Sequence, residues 1–137
     1  MKKITIIAIT IFFLIKIINL FLADVSFNQG YIANLQGDFE SSQRQIENAL
    51  FLNKHEPLYY RELADSYCAV GDKALCLKYA SSALALNPKN SLTLKALIKT
   101  FIRYGEKENA INLAEKLVIL TPTDPEAQYL LDIAKDN

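Results

Sequence analysis

The chain has 137 residues, with 15 basic and 15 acidic side chains, one His, no Trp and two Cys. A hydrophobic share of 51% excludes a disordered chain, and the length allows about one domain. Zero net charge argues against a nucleic-acid binder, and so few His and Cys argue against a metal site built from them.

The first element is an apolar stretch over residues 4–22, ITIIAITIFFLIKIINLFL. About 20 such residues cross a hydrocarbon core of about 30 Å, so the pattern predicts a transmembrane anchor over residues 1–22. Lys16 lies inside the stretch and costs roughly 2.5–3.5 kcal/mol on insertion scales, which the many Ile and Phe side chains offset. The alternative is a cleaved signal sequence that leaves a secreted or periplasmic protein. Cleavage needs small residues, and the large Phe21 stands two positions before Ala23. In either case Lys2 and Lys3 hold the N-terminus in the cytoplasm, and the rest of the chain faces outward. That remainder has 12 basic and 15 acidic residues, a net charge of −3, and its hydrophobic share falls to about 47%.

The next elements repeat. Gly37, Gly71 and Gly105 are spaced by 34 and 34, and each is followed by an acid, Asp38, Asp72 and Glu106. Ala49, Ala83 and Leu117 follow at the same interval, then Leu50, Leu84 and Val118, then Leu52, Leu86 and Leu120. Pro88 and Pro122 close the second and third units, and Lys54 stands where the first would have its proline. Over 57–70, Tyr60, Leu63, Ala64 and Tyr67 recur at three- and four-residue steps, one face of a helix. Over 73–86, Leu75, Cys76, Tyr79, Ala80, Ala83 and Leu84 do the same. Glycine ends each first helix, and Pro57, Pro88 and Pro122 start or stop helices. After Pro122, Thr123 or Asp124 caps a last helix over about 125–135 that carries Ala127, Leu130, Leu131 and Ala134 on one face.

This period, with Tyr60, Leu63, Ala64, Tyr67, Gly71, Ala83 and Pro88 in its best unit, resembles the tetratricopeptide repeat, a helix–turn–helix unit. Residues 91–124 match through Leu94, Leu97, Phe101, Gly105, Ala110 and Pro122, and residues 23–56 match well only from Gly37, with Gln29 at a usual Leu. The resemblance implies an all-α protein. An α-solenoid of three hairpins (23–56, 57–90 and 91–124) would follow the anchor, with a capping segment over 125–137. It also implies a concave groove built from first helices. Carried onto this sequence, its rows are Phe27, Arg61 and Lys95, then Tyr31, Asp65 and Lys99, then Leu35, Ala69 and Arg103. Lys95, Lys99 and Arg103 with Arg61 would make a basic end, and Phe27 with Tyr31 an aromatic end. Such a groove suits an acidic peptide with an apolar anchor, against the plainer reading of a solvated charged face. Some members of the family grip chaperone tails with a Lys/Asn/Arg clamp. The matching positions here are Phe27, Tyr31, Glu62, Leu92 and Ala96, which cannot supply that chemistry.

Cys68 and Cys76 flank the turn at Gly71, either as a disulfide or as two small buried thiols. His55, the one His, sits between two repeats with no nucleophile beside it, and no phosphate-binding glycine loop is present, so the chain reads as non-enzymatic and cofactor-free. The expectation is a single-pass scaffold that binds protein partners outside the inner membrane of a bacterial cell. A rival follows from residues 21–53, which look similar to the junction where polytopic O-antigen ligase- or polymerase-like proteins pass into repeat tails. On that reading the chain is a detached part or accessory of such a protein. Self-association through the repeats is a third expectation.

Overall fold

The computed structural model describes residues 2–136, and among them there are seven helices and no strand. The first, α1 (Lys2–Leu35), runs for 34 residues without a break. The apolar stretch and the first helix of the first repeat are therefore one rod, and the boundary between residues 22 and 23 interrupts no backbone hydrogen bonding. The change there is in surroundings. Large apolar side chains from Ile6 to Leu22 are exposed, whereas Ala23 is fully buried.

Six shorter helices follow: α2 (Phe39–Leu52), α3 (Pro57–Ala69), α4 (Lys73–Leu86), α5 (Ser91–Arg103), α6 (Lys107–Leu120) and α7 (Pro125–Asp136). The second half of α1 pairs with α2, α3 with α4 and α5 with α6, while α7 lies against α5 and α6. Each hairpin turn is built the same way. Gly37, Gly71 and Gly105 have φ of 78°, 83° and 67°, a left-handed conformation that side chains with a Cβ disfavour. The acid after each glycine closes the helix behind it. Asp38 N–H donates to Ala33 O at 2.9 Å, Asp72 N–H to Tyr67 O at 3.0 Å and Glu106 N–H to Phe101 O at 2.9 Å. In two turns the same residue also opens the next helix. Asp38 accepts from Ser41 N–H at 3.1 Å and Asp72 from Leu75 N–H at 3.0 Å. Glu106 makes no such cap and pairs with Lys73 at 2.7 Å, tying the second hairpin to the third. At Asp38 and Asp72 one residue thus serves both helix ends.

Packing runs continuously along the array. Ala23, Ile46, Ala49, Tyr59 and Leu63 join the first hairpin to α3. Ala64, Ala80 and Leu97 join the second hairpin to α5. Leu94, Ile98, Ala114, Leu117, Ala127, Leu130 and Leu131 seat α7 on the third hairpin. Each large side chain buried this way contributes roughly 1.5–3 kcal/mol. Asp124 accepts from Glu126 N–H at 3.0 Å, so Asp124 rather than Thr123 opens α7.

Two details depart from the sequence reading. The face of α3 turned to the core carries Tyr59, 2% exposed, while Tyr60 is only half-buried. Stacking draws Tyr59 inward, because its ring lies 4.8 Å from that of Phe27 and its hydroxyl donates to Asp24. Burial and this acceptor push the Tyr59 hydroxyl pKa well up. Gly30, unexplained by turns, marks a close helix crossing: a Cβ there would lie 2.6 Å from Ile46 Cγ1 and 3.0 Å from Ser42 O. The equivalent positions in later repeats are Ala64 and Ile98, both buried.

Candidate functional site

The first helices line a concave face with two hollows. Phe27 and Tyr31 from α1 meet Leu58, Arg61 and Glu62 from α3 around a hollow of about 270 Å³. Asp65 from α3 faces Leu92, Lys95, Lys99 and Arg103 from α5, with Glu126 from α7, around a larger one of about 500 Å³. Arg61 and Asp65 lie four residues apart on α3, on one helix face, so the two hollows form one groove. All seven expected groove residues, Phe27, Tyr31, Arg61, Asp65, Lys95, Lys99 and Arg103, line it.

The aromatic end is a stack. The Phe27 ring lies between Tyr59 at 4.8 Å and Tyr31 at 6.1 Å. Tyr59 closes the stack from the core side, so Tyr31 is the ring that meets solvent, at 39% exposure.

The other end is not the bare cationic stripe expected from Lys95, Lys99 and Arg103. Lys95 Nζ contacts Asp124 Oδ2 at 2.6 Å and Glu126 Oε2 at 2.7 Å. Lys99 Nζ contacts Glu126 Oε1 at 2.8 Å. Arg61 is likewise paired, with the buried Glu62 at 2.9 Å. The four cations Arg61, Lys95, Lys99 and Arg103 face the four carboxylates Glu62, Asp65, Asp124 and Glu126, so the groove is close to charge-balanced. Among the described residues, Arg103 is the groove cation with no ion pair. The correction was readable in principle, since Glu126 stands 34 residues after Leu92 and 68 after Leu58, the register that lines both hollows.

These contacts hold the carboxylates ionised. Hydrogen bonds from Lys95 and then Lys99 pull Glu126 down to about 2, and Lys95 lowers Asp124. Asp65 goes the other way. It is open to water but walled in by the groove, and this poor solvation, with Glu62 nearby, pushes it up to about 6 against Arg61 and Arg103. A carboxylate at the centre of the groove therefore titrates just below neutrality.

Cys68 and Cys76 are joined as a disulfide across the Gly71 turn, with Cα atoms 4.9 Å apart, well inside the roughly 7 Å limit. It sits beside the groove, because Cys68 also lines the larger hollow. His55 is exposed in the α2–α3 turn, its N–H donating to Asn53 Oδ1 at 3.3 Å. Among the described residues no group of three or more His, Cys, Asp or Glu is placed to hold a metal ion.

The array has the fold of tetratricopeptide repeat domains. The tetratricopeptide domain of Arabidopsis OM64 superposes with a TM-score of 0.77 at 14% identity, over 86% of this chain and 98% of that one. The first such domain of Spaghetti (RPAP3), bound to the HSP90 peptide SRMEEVD, gives 0.78 at 18% identity, over 85% and 93%. The TPR2B domain of yeast Sti1, in complex with an Hsp70 peptide, gives 0.77 at 11% identity, over 85% and 98%. No protein-family model and no curated protein sequence matches the chain.

Proposed function

We propose that this protein is a membrane-anchored peptide-binding scaffold whose groove captures a segment of a partner protein on the extracytoplasmic side of a bacterial inner membrane. The observation that carries the reading is α1 itself. Its first part is long and apolar enough to cross a membrane, with a mean hydropathy of 2.6, and its second part forms a wall of the groove. Lys2 and Lys3 ahead of the span support a cytoplasmic N-terminus. The solved neighbours that hold peptides support the groove as the working surface.

The groove's chemistry differs from a carboxylate clamp. Phe27 and Glu62 occupy clamp positions, one in an aromatic stack and the other in an ion pair. An apolar or aromatic side chain fits beside Tyr31 and Leu58. A single carboxylate fits at Arg103, while a run of acids would have to displace Asp124 and Glu126 from Lys95 and Lys99. The array itself binds and does no chemistry.

The test is a photo-crosslinking amino acid placed at Tyr31 in the groove, or at Ser81 outside it, in membranes of cells that make the full chain. A discrete partner adduct from position 31 and none from 81 is the expected result. Equal labelling from both positions would sink the groove. Digestion of the array by protease added to the cytoplasmic face of inverted vesicles would sink the topology.

A further inference from the structure

We infer that the end of the array bearing the turn between α2 and α3 rests on the bilayer, with Phe51 seated among the lipid headgroups. The inference rests on reading residues 4–22 as a membrane span and goes beyond it, because an anchor by itself leaves the array free to stand off the surface. Here it has no such freedom. The helix passes from lipid into the array without a hinge, so the level at which the apolar run ends fixes what lies beside it.

That level can be placed. Antiparallel helices rise equally per residue, and Gly30 of α1 meets Ser42 and Ile46 of α2. Leu22 therefore lies level with about residues 50–54, the end of α2 and its turn. Two contacts agree. Ala23 is buried together with Ala49, Leu50 and Leu52, and Asp24 receives the hydroxyl of Tyr59 from the start of α3. The polar layer outside the hydrocarbon is roughly 5–8 Å thick on each side, so this whole turn falls within it.

The side chains there suit that layer. Phe51 is 90% exposed, the most exposed large apolar side chain described, and no protein surface covers it. Lys54 is exposed beside it, its carbonyl fixed by the Tyr60 hydroxyl at 3.1 Å, and its long stem can lift the ammonium to the phosphates. Thirty-four and 68 residues on, the register of Phe51 holds Ala85 and Ile119, the latter 79% exposed, so the third repeat keeps an apolar residue at the same end. Phe27 lies about 8 Å beyond Leu22 along α1, which sets the aromatic hollow just outside the headgroups.

The absence of any native Trp makes the test clean. Phe51→Trp, Val70→Trp and Phe13→Trp variants of the full chain are reconstituted separately in phosphatidylcholine vesicles without bromine, with lipid brominated near the headgroup end of its acyl chains, and with lipid brominated near their methyl end. Val70 is an exposed apolar residue in the α3–α4 turn, about 20 Å away at the opposite end of the hairpin. The expected result is strong quenching at position 51 by the headgroup-end bromines, several-fold above position 70, and strong quenching at position 13 by the methyl-end bromines. Quenching at 13 with 51 no greater than 70 would overturn the inference and leave the anchor standing. Absence of quenching at 13 would overturn the anchor and the inference together.

Discussion

The two parts of α1 are one helix with two kinds of surroundings. From Ile6 to Leu22 its large apolar side chains are exposed on every side, and from Ala23 onward it presents small residues to α2 and aromatic ones to α3. Helix formation does not distinguish these parts, because both satisfy their backbone internally. What distinguishes them is what each part's side chains meet: no protein surface before residue 22 and neighbouring helices beyond it.

The largest expected effect tests whether the parts are energetically separate. Leu63→Ala empties the fully buried site that joins α3 to the first hairpin and should cost about 2–5 kcal/mol in urea unfolding of the array in detergent. Ile9→Ala in the apolar part should change that unfolding by less than about 0.5 kcal/mol. Equal losses would show one cooperative unit. Next is Gly30→Leu, which forces a side chain into the crossing with Ile46 and should cost about 1–3 kcal/mol. An unchanged midpoint would mean that α1 and α2 can separate freely. Asp72→Ala removes the cap on Leu75 N–H and should cost about 1 kcal/mol.

The smallest effect lies at the far end of the array, in the partly exposed Lys95–Asp124–Glu126–Lys99 cluster. Glu126 is held down to about 2 in the folded chain against an ordinary 4.5, so its contribution is present above about 4.5 and fades as pH falls toward 2. Glu126→Gln should flatten that part of the acid-unfolding curve and leave neutral stability nearly unchanged. A steep loss at neutral pH would show that the cluster, rather than apolar packing, seats α7. In ligand binding the relevant group is Asp65. Its protonation as pH falls through about 6 removes a negative charge facing Arg61 and Arg103, so a groove ligand with a carboxylate should bind more tightly at pH 5.5 than at 7. Asp65→Asn should abolish that difference.

Much of this was legible in the residues. The interval between Gly37, Gly71 and Gly105 reports the hairpins because a left-handed turn tolerates little else. Asp38 and Asp72 follow because one residue serves two helix ends. The groove register was legible too, since it repeats with the backbone. Less legible was the first hairpin, where Gln29 and Val25 stand in place of the apolar Leu63 and Tyr59 of the second. The structure gives the reason: among the described residues no hairpin packs on that face of α1, and both positions are exposed. The pairing of the cations was hidden for a different reason. Asp124 ends the third unit and Glu126 carries its register on into the cap, but only the folding of α7 back onto α5 brings their carboxylates to Lys95 and Lys99.

By itself, then, the sequence determined whatever depends on local chemistry at a fixed interval: helices, turns, caps, and an apolar run long enough to span a bilayer. The tertiary structure alone decided what depends on meeting at a distance. It set Tyr59 rather than Tyr60 in the core, made Gly30 a crossing point, and balanced the groove's charge. It also placed the exposed Phe51 level with the end of the apolar run, because only packed helices give residues far apart in the chain a common height.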